Sequence, residues 1–276
     1  MGASTAIRRI RKAFGVYTPI ACRLGYIARG LVYLSVGVLG VMAALDLTPR
    51  AAGTKGAIEA WAKWPAGYAM IAAIAAGLWA FAGWRALQAV FDADDQGSSP
   101  KAIASRIGQA ISGVVYGGLG LFAFELLDEL EDFGEADEEQ AAEAMAFELI
   151  RLPYGEWLLG AVALFILGVA AGNLIQAFAK DFSAKLGCHR TMKGWALILG
   201  RLGYGARGVA FLPMGFFMMR AAFAFRASEA VSLGGALQAI ERQPFGSLGL
   251  AVTGLGLMAF GGLALIEARY RRIKVD

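Results

Sequence analysis

The sequence has little charge, a single histidine and two cysteines, and each shortage excludes a class of function. Charged residues make up 17% of the 276 residues and hydrophobic residues 58%, a balance typical of membrane proteins. One histidine, His189, leaves too few side chains for the usual zinc sites, so we expect no metal and no cofactor. The sequence contains no arrangement of the kind used for nucleophilic or acid–base catalysis, and we predict that the chain is not an enzyme.

The charged residues are concentrated in short segments between six mostly apolar runs. Each run is about twenty residues long, enough to cross a hydrocarbon core of ~30 Å. In a soluble protein, charged residues would recur along the face of every helix. The basic residues flank the runs and do not form one patch with interleaved aromatic residues, so they do not indicate nucleic acid binding.

A basic and aromatic phrase recurs at the start of alternate runs. It reads RLGYIARGLVY from Arg23, RIGQAISGVVY from Arg106 and RLGYGARGVAF from Arg201. Self-similarity of this kind indicates a repeated structural unit. We therefore predict three two-helix units, with a basic cytoplasmic arm before them and a basic cytoplasmic tail after them. The units cover residues 22–91, 106–179 and 197–268, the arm covers 1–21 and the tail covers 269–276.

The units share an order of elements, in which a connection and a Pro-x-Gly tripeptide join the two apolar helices. In the first and third units, residues 56–64 and 235–241 have apolar positions at helical spacing, which predicts short amphipathic helices on the membrane surface. The second connection lies in an acidic stretch, 125–148, whose second half is helical in pattern. Proline's fixed φ and missing N–H suit the first turn of a helix, where we expect these prolines.

These features predict an all-α membrane protein with six transmembrane helices, arranged as three repeated two-helix units in a pseudo-threefold bundle. Lys and Arg are concentrated on one side of the membrane, in 1–21, 180–196 and 269–276. The positive-inside rule then places both termini in the cytoplasm. The cysteines, Cys22 and Cys188, lie on that side and are expected to stay reduced. Glycines in the runs are expected to let the helices approach closely.

Units that open with R-x-G-Y-x-A-R-G-x-x-Y/F resemble a bacterial membrane family catalogued as domain-of-unknown-function family 1206. The resemblance covers nearly the whole chain after the first twenty residues. The second unit departs from the motif, because Gln109 replaces the tyrosine and Ser112 replaces the second arginine. The resemblance implies a multi-pass protein of the bacterial plasma membrane, and it implies no particular activity.

Arg29 and Arg207 are the strongest candidates for functional residues. Arg29 lies six residues beyond Arg23, ~9 Å deeper along a helix. An unpaired charge near the bilayer centre costs ~2.5–3.5 kcal/mol, so such residues usually face a bundle interior or a wet cavity. We expect a cationic, aromatic-lined vestibule made of Tyr26, Arg29, Tyr33, Arg85, Asn173, Gln176, Tyr204 and Arg207. Arg23, Arg106 and Arg201 are expected to anchor the helix ends at the interface.

Two functions remain open at this point. A vestibule of this kind suits a small transporter or channel for an anionic solute, and the plan of three two-helix units is similar to that of the mitochondrial solute carriers. The charged carrier signature after the proline is absent here. The alternative is a non-transporting scaffold or anionic-lipid-binding protein, in which the arginines extend to lipid phosphate and the tyrosines form an interfacial belt. The expected partners are therefore the bilayer, anionic lipids and a small anionic solute.

Overall fold

The computed structural model describes residues 17–62, 66–92, 97–128, 138–184 and 186–271. These residues are helical, apart from their connections and one isolated bridge. The long helices are α1 Tyr17–Ala44, α3 Gly67–Phe91, α4 Pro100–Asp128, α6 Gly155–Ala179, α7 Arg190–Ala224 and α9 Gly246–Tyr270. The short helices are α2 Thr54–Ala62, α5 Glu138–Ile150 and α8 Leu233–Glu241, with a 3-10 turn at Ala227–Glu229. Most of the predicted arm and tail lies outside the described residues.

Five of the helices are long and apolar enough to cross a membrane, namely α1, α3, α4, α6 and α9. Their outer surfaces expose large apolar side chains such as Val114 and Phe178, which a hydrocarbon environment favours. The chain is therefore a multi-pass membrane protein. The remaining long helix, α7, carries Arg201, Arg207 and Arg220 among its residues, and these charges lower its hydropathy.

The long helices pack in a repeated pattern of neighbours. α1 packs against α9, α4 against α3, and α7 against α6. The first helix of each predicted unit thus contacts the second helix of another unit. Within units, α1 also packs against α3, and α7 against α9. The corresponding pair of the second unit, α4 and α6, does not pack along its length in the described part of the chain.

Glycines occur where α1 and α9 approach most closely. A Cβ atom at Gly37 would lie 2.5 Å from the Gly254 carbonyl oxygen, and one at Gly261 would lie 2.6 Å from the Gly30 carbonyl oxygen. Only a residue without a side chain fits at such separations, as expected for small residues at membrane helix contacts. The expected packing role does not extend to Gly168, which has no atom within 4 Å of that position.

The Pro-x-Gly tripeptides of the second and third units form turns before their helices. The expectation that proline occupies the first helical turn is wrong there, because α6 begins at Gly155 and α9 at Gly246. The preceding residues, Tyr154 and Phe245, have φ angles of 61° and 60°, in the left-handed region. A Cβ atom at Gly246 would collide with the Glu241 carbonyl group, so glycine is required for the turn to close.

The short helices lie at the end of the bundle opposite the repeated phrases. Trp61 Nε1 donates a hydrogen bond to Ser35 Oγ at 2.8 Å, which holds α2 against α1. Glu139 of α5 accepts hydrogen bonds from the backbone N–H groups of Ser232 at 3.2 Å and Gly235 at 2.7 Å. These groups belong to the start of α8, where unpaired N–H groups and the helix dipole favour a carboxylate. Glu139 therefore links α5 to α8.

Candidate functional site

Three arginines from three helices alternate with two phenylalanine rings at the basic end of the bundle, where the repeated phrases begin. We name Arg29 of α1, Arg85 of α3 and Arg207 of α7 the cationic cluster. The guanidinium carbons of Arg29 and Arg85 lie 5.5 Å and 4.9 Å from the centre of the Phe81 ring. Those of Arg29 and Arg207 lie 4.3 Å and 5.0 Å from the centre of the Phe260 ring. Each such cation–π contact is worth roughly 0.5–2 kcal/mol.

Four tyrosines pack edge-on against the two phenylalanine rings and enclose the cluster. The distances between ring centres run from 4.7 Å to 5.3 Å, the separation preferred by edge-to-face aromatic pairs. The four are Tyr26, Tyr33, Tyr116 and Tyr204. Tyr116 also lies within electrostatic reach of all three arginines, so α4 of the second unit contributes to the site.

Few negative groups among the described residues balance the three positive charges of the cationic cluster. Arg29 is only 3% exposed, and the Nε atoms of all three arginines have no hydrogen-bond partner in the described part of the chain. No ion pair joins the cluster to a carboxylate among the described residues. Glu267 lies within electrostatic reach of Arg29, but Arg271 already binds it at 3.2 Å. Because buried charge is costly without a partner, the site favours an anion.

The second unit places two buried amides at this end of the bundle, Gln109 on α4 and Asn173 on α6. Among the described residues, Gln109 Oε1 and Asn173 Nδ2 have no hydrogen-bond partner. A buried polar group left unpaired costs roughly 1–3 kcal/mol. Together with the three arginine Nε atoms, these groups leave the site with hydrogen-bonding capacity that its described residues do not use.

The predicted vestibule residues come together only in part. The three arginines and the tyrosines Tyr26, Tyr33 and Tyr204 surround the same two phenylalanine rings. Tyr26 and Tyr33 are buried, which does not fit the alternative of an interfacial belt. Gln176 instead accepts a hydrogen bond from Lys180 at 3.3 Å, and the same ammonium lies 3.4 Å from the Tyr204 hydroxyl.

The three predicted anchors differ in what they contact. Arg23 and Arg201 are exposed at the basic end. Arg106 Nε donates to the Ala89 carbonyl oxygen at 2.8 Å, and a terminal nitrogen donates to that of Val90 at 3.0 Å. These carbonyl groups belong to the last turn of α3, where a cation is stabilised. Arg106 therefore joins the second unit to the first.

The connection after α6 covers one side of the basic end. The Phe182 ring lies 4.9 Å from the Tyr204 ring, centre to centre, and fills the space beside Gly200, where a Cβ atom would collide with it. The N–H of Gly187 donates to the Tyr270 carbonyl oxygen at 2.8 Å, which fixes this connection to the end of α9. Outside the helices, hydrogen bonds from Ser183 hold the pKa of Asp181 below its usual value.

The opposite end of the bundle contains a cavity of about 220 Å³. Glu139 and Glu229 line it, and both carboxylates have partners within the chain. Glu139 binds the start of α8, and Glu229 forms an ion pair with Arg220 at 3.1 Å. The described residues contain no group of three or more His, Cys, Asp or Glu side chains placed to hold a metal ion. The cationic cluster therefore remains the candidate site.

Comparison with known proteins shows a family model that matches the chain three times. A family model described as Domain of Unknown Function (DUF1206) matches residues 24–92, 107–180 and 202–271. The chain belongs to this family. An uncharacterised protein of Bacillus subtilis (strain 168), YxxB, is 29% identical over 260 residues, which cover 91% of this chain and 90% of that protein. No solved structure matches the chain.

Some residues of the site in this DUF1206 chain were missed by the sequence reasoning. Phe81 and Phe260 stand four residues before Arg85 and Ala264, at the same place in the first and third units. An alignment of the second helices of the three units would have shown this match. Tyr116 ends the second copy of the phrase, at the position that Tyr33 holds in the first copy, and this match also indicated that it belongs to the site.

Proposed function

We propose that this chain is a bacterial plasma membrane protein that binds an anionic group at the cationic cluster. The observation that carries the proposal is the Arg29 side chain, which is almost fully buried and has no carboxylate partner among the described residues. Arginine offers forked donors that match the oxygens of a phosphate or carboxylate. The ligand is an anionic lipid headgroup or a small anionic solute.

Six membrane crossings and cytoplasmic termini are part of this proposal. α7 packs against both α6 and α9, and its Arg207 lies beside the rings of Tyr33 and Phe260. A charge that faces the bundle interior can be accommodated in a membrane-spanning helix. The equivalent contacts α1–α9, α4–α3 and α7–α6 support a pseudo-threefold plan. Basic residues near the membrane, such as Arg23 and Arg201, favour the cytoplasmic side.

Transport of the bound anion is the second candidate function. It is favoured by the position of Arg29, which lies inside the bundle and not on its outer surface. A protein that only anchors itself to anionic lipid needs arginines at exposed positions, such as those of Arg23 and Arg201. A buried arginine that forms no ion pair with the described residues, such as Arg29, is typical of a site on an anion pathway.

Anion binding is tested by replacing Arg29 in the purified full-length chain. Binding of phosphatidylglycerol is measured by native mass spectrometry, and binding of inorganic phosphate by calorimetry. We expect Arg29→Gln to weaken binding roughly 10–100-fold, because a hydrogen bond to a charged group contributes ~1.5–3 kcal/mol. The matched control Arg23→Gln changes an exposed arginine of the same helix and should leave binding unchanged. Equal affinities in the two variants, or no binding to either probe, would contradict the proposal.

Phosphate flux into proteoliposomes distinguishes transport from binding alone. If the protein is a transporter, the unaltered chain should carry flux that Arg29→Gln removes and Arg23→Gln retains. Equal leak in all three preparations, with binding intact in the unaltered protein, would assign it to the non-transporting lipid-binding class.

A further inference from the structure

The three units differ in how closely their own two helices approach. In the first unit, a Cβ atom at Gly25 of α1 would lie 2.5 Å from the Cβ of Phe81 on α3. In the third unit, one at Gly203 of α7 would lie 2.6 Å from the Cα of Phe260 on α9. The matching glycine of the second unit, Gly108, has no such atom within 4 Å. The close approach of the other two units is therefore missing between α4 and α6.

A second matched position shows the same difference through its exposure. Val32 of α1 is 1% exposed and Ala210 of α7 is 0% exposed. Each lies one helical turn beyond the alanine, Ala28 or Ala206, that meets the second helix of the unit. Val115 holds this position in α4 and is 60% exposed. The face of α4 that corresponds to a covered face in the other units is therefore open.

The sequence explains why α4 and α6 stay apart. Gly77 of α3 and Gly256 of α9 each lie directly against an alanine of the first helix of their unit, and a Cβ atom at either would collide with it. In the second unit the glycine position is occupied by Phe165 and the alanine position by Ile111. Small residues permit close helix contacts in membranes, and this exchange of two small residues for two large ones prevents the contact.

The helices on either side of this opening each carry a buried amide. We name the opening the α4–α6 seam and define it by Gly108, Ile111, Val115 and Phe165. These amides are Gln109 of α4 and Asn173 of α6, and each has one amide atom without a hydrogen-bond partner among the described residues. Tyr116, also buried on α4, lies within electrostatic reach of the cationic cluster. Through Tyr116, whose ring packs on that of Phe81 beside Arg29, the helix α4 that borders the seam also contributes to the anion site.

The surroundings of the seam decide which kind of anion can enter. The outward faces of α4 and α6 expose apolar side chains, including Val114, Ile107, Ile175 and Phe178. Such a surface faces lipid chains in a membrane. A free anion would have to cross hydrocarbon to reach the seam, whereas the headgroup of a lipid can enter while its acyl chains remain in the bilayer. The seam therefore favours a lipid.

We propose that the α4–α6 seam is a lateral entrance through which an anionic glycerophospholipid places its phosphate at the cationic cluster. Ser112 stands where Arg29 and Arg207 stand in the other units, so the shorter side chain leaves room on the α4 side for the headgroup. This inference rests on the proposed anion-binding function and specifies its ligand.

Photo-crosslinking tests the entrance in the full-length protein in nanodiscs. The probe is phosphatidylglycerol with a diazirine on one acyl chain, and adducts are located by peptide mass spectrometry. We expect adducts to concentrate at residues 108–115 and 165–172 and to disappear from both in Arg29→Gln. The same diazirine on phosphatidylcholine, which has no net negative charge, should label the apolar surface evenly.

A pair of variants tests whether the seam itself is required. Ile111→Ala with Phe165→Gly restores the small pair of the other units and should bring α4 and α6 together. We expect this double variant to form fewer adducts at the seam and to raise the Kd for phosphatidylglycerol at least tenfold. Inorganic phosphate should still bind. The control, Val114→Ala with Leu164→Gly, makes the same kind of change at exposed positions and should behave as the unaltered protein.

The outcomes separate the two proposals. Even adducts over the whole apolar surface of the unaltered protein, or adducts that persist in the closing variant, overturn the lateral entrance. Phosphate binding without phosphatidylglycerol binding also overturns it and leaves the anion site intact for a solute. Absence of binding to both probes overturns the proposed function. The adduct map of the unaltered protein decides the matter even if the closing variant loses phosphate binding through misfolding.

Discussion

Arg29 lies deep within a bundle whose surroundings favour uncharged side chains. The cost of such a charge near the bilayer centre is ~2.5–3.5 kcal/mol on insertion scales, and two cation–π contacts offset roughly 1–4 kcal/mol. The chain can therefore hold Arg29 without a carboxylate, because Phe81 and Phe260 lie on either side of it. A bound anion would add to this stabilisation, and the added stabilisation would be lost when the anion dissociates.

Phe260 is the ring on which the stability of this arrangement depends most. Phe260→Leu removes the ring shared by Arg29 and Arg207, and we expect a loss of about 1–3 kcal/mol in stability. The matched control Phe245→Leu changes a ring that is fully outside the core, at 89% exposure, and should have little effect. Thermal unfolding in detergent measures both. A melting temperature lowered equally by the two changes would contradict the role of the Phe260 ring.

The interior position of Arg29 could be predicted from the sequence, because it lies six positions beyond Arg23 along the helix and charges at such a depth usually face the bundle interior. The two phenylalanine rings could not, since phenylalanine is common on lipid-facing surfaces too. Their role depends on which helices become neighbours. The same holds for Arg106, which binds carbonyl groups of α3 although the sequence indicated only an interfacial anchor.

At the scale of helices, the carboxylate of Glu139 holds the acidic helix α5 against α8. Glu139→Gln weakens these hydrogen bonds, since charged acceptors bind roughly twice as strongly as neutral ones. We expect amide exchange at Ser232 and Gly235 to accelerate by roughly tenfold, equivalent to ~1.4 kcal/mol. Hydrogen-exchange mass spectrometry measures this. Glu143→Gln, on an exposed position of the same helix, serves as the control, and similar exchange in both variants would contradict the link.

The helices themselves were largely predictable, and their pairing was not. Apolar runs and the repeated phrase indicate the long helices, and helical spacing indicates α2 and α8 in their connections. The same repetition suggested that all units pack alike. The difference at Ile111 and Phe165 is one of size alone, and its effect becomes visible only when matched positions such as Val32 and Val115 are compared in the structure.

At the scale of the whole molecule, α7 decides the number of crossings. Composition identifies five helices that can cross a membrane and leaves α7 out, because it carries several arginines. Its packing between α6 and α9 is the reason why the proposed topology counts it as a sixth crossing. With six crossings both termini lie on one side, whereas five would put them on opposite sides. The residues before and after α7 therefore distinguish the two topologies.

Cys188 lies just before α7 and Ser228 just after it, so two thiols at these positions test the crossing directly. Both variants carry Cys22→Ala. The first keeps Cys188 as its single cysteine, and the second carries Cys188→Ser together with Ser228→Cys. With six crossings and the basic end inside, an impermeant maleimide should label Ser228→Cys in intact cells and Cys188 only in inverted vesicles. Cys188 is partly exposed and Ser228 is exposed, so both can react. Labelling of both from the same side would show that α7 does not cross, and the pseudo-threefold plan would then be wrong.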